Sequence, residues 1–426
     1  MVSPPITVRA LATSGQRERH CQFADQAFSR EPSPESARYW YQFVTTMPGY
    51  RPEQLRGAFR NGEQVGSYFL HERTMHVGTA RLLAGCIGAV VTYPDHRHQG
   101  VATALMQDAI DYAQSHHYPL LLLDGIPKFY YRYGYDDVFD VSVQDIDYAA
   151  ILAQPPSALH LRPVTLEDAQ HIVTLYNRHF GPLTGSFTRT VEWQHHRLHY
   201  RSADNPLWLA VDAAGRPQGY LALQGGAERF QAQEFAADTW AAALALLQHH
   251  AHLLDGLQAP AALRYRIPSS APVLYEMMDA LQVPDTSHWR HPPEEWAIRS
   301  QTYHHRFAAW MARLVSLPAL AQALLPEWQA RWRQSLAHWS GTISLMVGED
   351  TCTLHFDRAQ LQLIDAPDRA TTVRLSPQRF TQLVFGYRPV AFTLKQAAQS
   401  PPDAVVAVLN VLFPYGHTWI PASDWF

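Results

Sequence analysis

At 426 residues the chain exceeds what one hydrophobic core normally organises, and at about 100–200 residues per domain it should hold about two to four. With 47% hydrophobic and 12% aromatic residues against 17% charged, it has ample apolar surface to bury, which excludes a mainly disordered chain. The 34 basic and 38 acidic side chains leave a formal charge of -4, and no stretch concentrates them enough to follow a phosphate backbone, so nucleic acid is excluded as a partner.

Lys128 and Lys395 are the only lysines, so arginine carries the basic charge throughout. Cys21, Cys86 and Cys352 are odd in number, far apart and without Cys-x-x-Cys spacing, which argues against a disulfide framework or a structural zinc and for a reducing compartment. The N-terminus carries Pro4 and Pro5 where a signal peptide needs an apolar run, and no window of about 18 residues is free of charge, proline or polar breaks. The expectation is a cytoplasmic protein without a membrane span.

Along the chain, an alternating strand at Ile6–Leu11 leads into a helical stretch through Phe28 and another at Arg38–Thr45. Leu55–Arg60 and Val65–Thr74 flank Asn61-Gly62, which supplies the positive φ angles of a tight hairpin turn. A third strand covers Ala80–Thr92. After Pro94 and Gly100 the spacing of Val101, Leu105, Met106, Ile110 and Ala113 predicts a helix, followed by an apolar strand at Pro119–Leu123 and the aromatic segment Phe129–Tyr135.

The pattern breaks at Gln154-Pro155-Pro156 and restarts at Leu159–Val164, a strand running into a helix cap at Thr165. Trp208–Val211 and Gly219–Leu223 read as a second hairpin and Asp238–His252 as a helix, so this segment repeats the first in weak form. From about Gln301 the style changes. An amphipathic helix is expected over Phe307–Leu325, then strands at Thr342–Val347, Cys352–Phe356 and Leu361–Ile364 and helices at Pro377–Phe385 and Asp403–Phe413. The expected organisation is an α/β domain over 1–155, a similar one over 156–300 and a different α+β domain over 301–426.

The chemistry concentrates in Val90-Val91-Thr92, where a strand ends, and Arg97-His98-Gln99-Gly100-Val101-Ala102-Thr103, where a turn opens a helix. Backbone N–H groups in the turn and first helical turn lack intrahelical partners and point outward as anion donors, reinforced by the helix dipole. Gly100 lets a ligand approach the backbone, small Ala102 keeps the next turn clear, and Arg97 adds charge. An ordinary capped helix is the plainer reading of these residues alone.

In its context, strand, turn, helix, strand and aromatic segment, Arg97-x-x-Gly100-x-Ala102 resembles the acetyl-CoA signature of the GNAT acetyltransferases. The resemblance implies that the strand before the turn splays from its neighbour, with Val90 and Thr92 offering backbone groups to pantetheine. Tyr130 in Phe129-Tyr130-Tyr131-Arg132-Tyr133-Gly134-Tyr135 matches the tyrosine of the same superfamily, placed to protonate the departing CoA thiolate; the plainer reading is that it only packs.

Together with Met311–Pro318 and the short aromatic tail, these motifs resemble the Eis family across nearly the whole chain. That family comprises aminoglycoside acetyltransferases and relatives with two GNAT domains, the second degenerate, and a sterol-carrier-protein-like domain, assembled as hexamers. His98 and Gln99 stand where the family carries basic residues. The resemblance implies that the C-terminal carboxylate, here on Phe426, enters the first domain's site as general base, while Asp424 draws a cationic substrate. The first two helices form a lid in GNAT sites, which makes Asp25 and Trp40 candidates for cation recognition.

No metal is expected: His195/His199 and His249/His252 have helical spacing but bring no third ligand, and Cys86 lacks a nucleophile's partners. The leading expectation is acetyl transfer from acetyl-CoA to a primary amine of a polycationic small molecule. Alternatives are a peptide or protein lysine, another small amine, or a hydrophobic-ligand carrier with vestigial GNAT units.

Overall fold

The computed structural model describes residues 4–126, 128–201, 204–226, 231–254, 262–281, 297–303, 310–336, 338–358, 360–365, 370–416, 418–421 and 424. It divides into two compact units, one built from residues 1–139 and 306–418 and the other from 140–305 and 419–425.

The first unit begins with β1 (Thr7–Ala10), α1 (Ser14–Phe28) and α2 (Pro34–Thr45). Thr13 and Gln16 close a capping box on α1, and Ser33 caps α2, whose first turn holds Pro34. The hairpin of β2 (Leu55–Arg60) and β3 (Glu63–Val77) turns on Asn61 and Gly62 at φ of 52° and 83°, as their sequence predicted. Then come β4 (Ala80–Thr92), α3 (Val101–Ser115), β5 (Leu120–Asp124) and β6 (Asp136–Asp137). The buried stripe of α3, including Val101, Leu105, Ala109 and Ile110, packs with Val65, Tyr68, Leu121 and Leu123 into one core.

The second unit runs β7 (Val141–Asp147), α4 (Tyr148–Leu152), β8 (His160–Pro163), α5 (Ala169–His179), α6 (Val191–His199), β9 (Leu207–Val211), β10 (Pro217–Leu223), β11 (Gln231–Ala237), α7 (Trp240–Leu253), β12 (Ala262–Tyr265), α8 (Pro272–Ala280) and β13 (Ile298–Tyr303). The chain then returns to the first unit with β14 (Trp310–Leu314), α9 (Leu317–Gln334), β15 (Gly341–Val347), β16 (Asp350–Asp357), β17 (Gln360–Ile364), β18 (Thr371–Leu375), α10 (Pro377–Val384), α11 (Val390–Gln396) and α12 (Asp403–Leu412).

Among the described residues three sheets form, ordered β1-β2-β3-β4-β5-β14-β6, β13-β7-β12-β11-β10-β9-β8 and β17-β16-β15-β18. The two large sheets share one pattern. In each, four antiparallel strands are followed by a parallel fifth (β5 beside β4, β12 beside β11) and then an antiparallel sixth, β14 or β7. This is a tandem GNAT architecture, with the smaller sheet and its helices forming a further α+β element.

Two expectations are corrected. The helix expected over Phe307–Leu325 is in its described part a strand followed by a helix: Met311 to Leu314 pair with Leu123 to Leu120, and α9 starts only after Ser316, whose side chain accepts from Ala319 N, with Pro318 in the first turn. An apolar run carries no period strong enough to resist a sheet edge needing a partner. The boundary expected at residue 155 also fails to follow the sheets, because Val141–Asp147 pairs with β12 and β13 in the second sheet.

Candidate active site

The site begins where two strands part. Pairing of β4 with β5 runs from Ala84 opposite Leu120 to Ile87 opposite Leu123 and extends no further among the described residues. Just beyond, β4 carries one residue more than β3, since Ser67 faces Val91 while Phe69 faces Gly88, and Ala89 takes a φ of 48°. Such a bulge bends the strand and sharpens its twist, so Val90, Val91 and Thr92 turn away from β5 and open a wedge between the strands.

The turn that follows presents N–H groups to this wedge. His98 and Gly100 both adopt left-handed conformations, with φ of 59° and 81°, and no side chain caps α3. The first intrahelical bond runs from Ala104 N to Gly100 O at 3.0 Å, so the amides of Val101, Ala102 and Thr103 have no intrahelical acceptor. A Cβ on Gly100 would meet no protein atom within 4 Å; the space beside it is open. At Gly66 the reverse holds: a Cβ would come within 2.7 Å of Val101 Cγ1 and 2.8 Å of Val91 O, so glycine there lets the helix start press against the strands.

These residues share one cleft of about 810 Å3, lined by Val90, Val91, Thr92, Arg97, His98, Gly100, Val101, Ala102, Thr103 and Tyr130. Of the predicted cofactor residues only Gln99 stands apart. Its side chain donates to Asp95 O at 3.0 Å and accepts from Arg60, so it braces the turn from outside.

Tyr130 precedes a short turn of helix, Tyr131–Tyr133, that ends at left-handed Gly134. Its ring is held edge-on by Phe129 and Tyr135, with centroids at 4.9 and 6.0 Å. Burial first, then the negative field of Asp124, pushes its hydroxyl up to about 12. The phenol therefore stays protonated across the physiological range, as a proton donor must. Thr103 Oγ1 lies 3.0 Å from Tyr133 Oη, tying the aromatic segment to the first turn of α3.

The remaining lining residues were missed from sequence. Phe23, Gln26 and Ala27 come from one face of α1, and Ile126, Phe129 and Arg132 from the β5 side. The helical spacing of the first three is visible in the sequence, but which surface that face meets is not. Arg132 sits two residues from Tyr130, and its guanidinium packs over Phe129 and Tyr133 at 4.5 and 4.9 Å.

The expected acceptor residues fall elsewhere. Asp25 is buried, and its carboxylate accepts from Ser33 N at 2.9 Å, Ser36 Oγ at 2.6 Å and Ser29 Oγ. Burial works to raise its pKa, but these hydrogen bonds outweigh it and hold the group below its ordinary value. Asp25 thus fastens the start of α2 to α1 instead of meeting a ligand cation. Trp40 is partly buried on α2 and is not among the cleft's lining residues. Asp424 is buried in the second unit, where it accepts from Tyr176 Oη at 2.7 Å and lies 3.0 Å from Arg189 Nη2. With its charge engaged there, it does not serve to draw a cationic substrate. Phe426 lies outside the described residues.

In the second unit the corresponding helix, α7, is capped by Thr239, whose hydroxyl accepts from Ala242 N at 3.2 Å. A side chain therefore occupies the donor left open at Gly100. Among the described residues no group of three or more His, Cys, Asp or Glu is arranged to hold a metal, and no helix is long and apolar enough to cross a membrane.

Residues 8–138 match the family model described as an acetyltransferase (GNAT) domain. No curated protein matches the chain. Among solved structures, a conserved protein of Enterococcus faecalis described as a probable N-acyltransferase is similar over 99% of this chain and 100% of its own, at 17% identity and a TM-score of 0.75. A GCN5-related N-acetyltransferase of Anabaena variabilis covers the same shares at 16% identity and a TM-score of 0.72. Eis1 from Mycobacterium abscessus does so at 17% identity and a TM-score of 0.64. At these identities the likeness speaks for a shared fold along the whole chain, while the cleft and the matched domain speak for the chemistry. Residues 8–138 are an acetyltransferase domain of the GNAT type, and the chain that carries it is an acyl-CoA-dependent N-acetyltransferase.

Proposed function

We propose that the protein moves an acetyl group from acetyl-CoA directly to a primary amine of a polycationic small molecule of the aminoglycoside kind, within a ternary complex. The observation that carries the reading is the union, in one cleft, of an uncapped helix start and a buried, protonated tyrosine. The pyrophosphate takes the amides of His98 to Thr103 with Arg97 beside it, and pantetheine lies along Val90–Thr92 in the wedge that β5 leaves open. The amine nitrogen attacks the thioester carbonyl, a C–N bond forms, the C–S bond breaks, and Tyr130 gives its proton to the departing thiolate.

The amine must shed a proton, and the carboxylate of Phe426 is its acceptor in this scheme. That role rests on resemblance to the Eis family, as do the polycationic acceptor, a sterol-carrier-protein-like third segment, hexameric assembly and a cytoplasmic location. Thiol release from acetyl-CoA, followed with an aminoglycoside, a polyamine and a lysine peptide for the full chain and for one lacking Phe426, tests the scheme. Turnover strongest with the aminoglycoside and suppressed by the deletion is expected. Preference for the lysine peptide would overturn the acceptor class, and full activity without Phe426 would overturn the base.

A further inference from the structure

The second unit holds a cleft that the acetyltransferase reading does not use. About 410 Å3 in volume, it is lined by Pro163, Val164, Thr165, Leu166, Leu198, Arg201, Asn205, Pro206, Leu207 and Trp208, between the end of β8, the start of β9 and the turn after α6. That volume is within the range of small-molecule sites. Its lining side chains are mostly apolar, with Thr165, Asn205, the indole N–H of Trp208 and one cation, Arg201, as the polar groups among them. Asn205 Oδ1 is already taken by Gly225 N at 2.7 Å.

Arg201 is partly buried, and its hydrogen bonds go to backbone carbonyls: Nη2 to Pro206 O at 2.9 Å and Nε to Asn205 O. Among the described residues no carboxylate lies within ion-pair distance of it. Behind it lie Arg189 and Arg197 with the carboxylates Glu234 and Asp424. Arg189 is bound by both, with Glu234 Oε2 at 2.6 Å, and Arg197 reaches Asp424 at 3.5 Å. Asp168, beside the cleft's rim in sequence, is held by Arg162 at 2.7 Å. Desolvation, then repulsion from Arg197, lowers Arg201 to about 10 against the opposing field of Glu234, which leaves it charged at neutral pH. A cation in that position gains from any anion that reaches it, because the desolvation has already been borne.

We infer that this cleft is a binding site for a monocarboxylate with a short apolar tail, its carboxylate on the free guanidinium edge of Arg201 and its tail against Leu166, Leu198, Leu207 and Trp208. One guanidinium among mostly apolar side chains suits a single negative charge. A phosphate dianion draws on several donors at once, and the cleft does not bring them together. The site is separate from the chemistry assigned to the first unit, so its failure would leave the acetyltransferase reading untouched.

Hexanoate, acetate and inorganic phosphate, each titrated into the full chain at constant ionic strength by calorimetry and thermal unfolding, test it. Hexanoate is expected to bind one site per chain more tightly than acetate and to raise the unfolding temperature. Arg201→Met should weaken hexanoate at least ten-fold while acetyl-CoA affinity is unchanged. Because that variant also releases the Asn205–Pro206 turn, Leu166→Glu, which sets a negative charge on an exposed rim position, provides a second arm and should weaken hexanoate similarly. Absence of hexanoate binding, equal binding by both variants, or phosphate bound more tightly than hexanoate would each overturn the inference.

Discussion

Replacing Tyr130 by phenylalanine separates a proton donor from a packing residue. The ring sits between Phe129 and Tyr135, and among the described residues its hydroxyl makes no hydrogen bond, so removing that oxygen leaves the packing intact. A thiol titrates at about 8.5, whereas the Tyr130 hydroxyl is raised to about 12. The gap of about 3.5 units corresponds to about 5 kcal/mol against complete proton transfer to a free thiolate. In the proposed mechanism the phenol therefore acts chiefly by donating a hydrogen bond while negative charge builds on sulfur, handing over the proton only as the C–S bond breaks. Loss of that donation should reduce kcat by about 10²–10⁴-fold, with acetyl-CoA affinity by calorimetry unchanged. Because the raised pKa keeps the hydroxyl protonated, the wild-type kcat profile should show no alkaline fall due to Tyr130 below about pH 11. Turnover within about three-fold of wild type, or an alkaline fall near pH 9–10 that vanishes in the variant, would refute the reasoning.

Gly100→Asp should abolish acetyl-CoA binding, because its side chain would project into the open space beside the uncapped amides and bring a like charge to the pyrophosphate; wild-type calorimetry should give one site per chain, since Thr239 closes the equivalent donor in the second unit. His20, buried with Nδ1 2.9 Å from Ser67 Oγ, is lowered by desolvation to about 4 from an ordinary 6.5. Its neutral form stabilises the fold fully above pH 6.5, and that contribution is lost as pH falls towards 4, by about 3 kcal/mol in all. Urea unfolding between pH 7 and 5 should therefore show a flatter pH dependence in His20→Gln, and parallel curves would remove His20 as the cause.

Much of the first unit was legible in the sequence because it depends on neighbours along the chain. Asn61-Gly62 dictates its turn through two backbone angles, the stripe of α3 follows from 3.6-residue spacing, and Gly100 marks a helix start that no side chain caps. The cleft residues proposed from Val90 to Thr103 were readable for the same reason: their arrangement lies in local backbone conformation. Tertiary structure decided what depends on distant partners. Trp310–Leu314 became a strand because β5 and β6 needed one between them, and Val141–Asp147, expected within the first domain, pairs in the second sheet. A segment's apolar pattern states that it will be buried, but only pairing across the fold states where. The acidic residues were misread on similar grounds. Asp25 found three donors within eleven residues, and Asp424 found Arg189 more than two hundred residues away. A carboxylate's role is set by the field and hydrogen bonds around it, and for Asp424 that environment comes from side chains that only folding brings within reach.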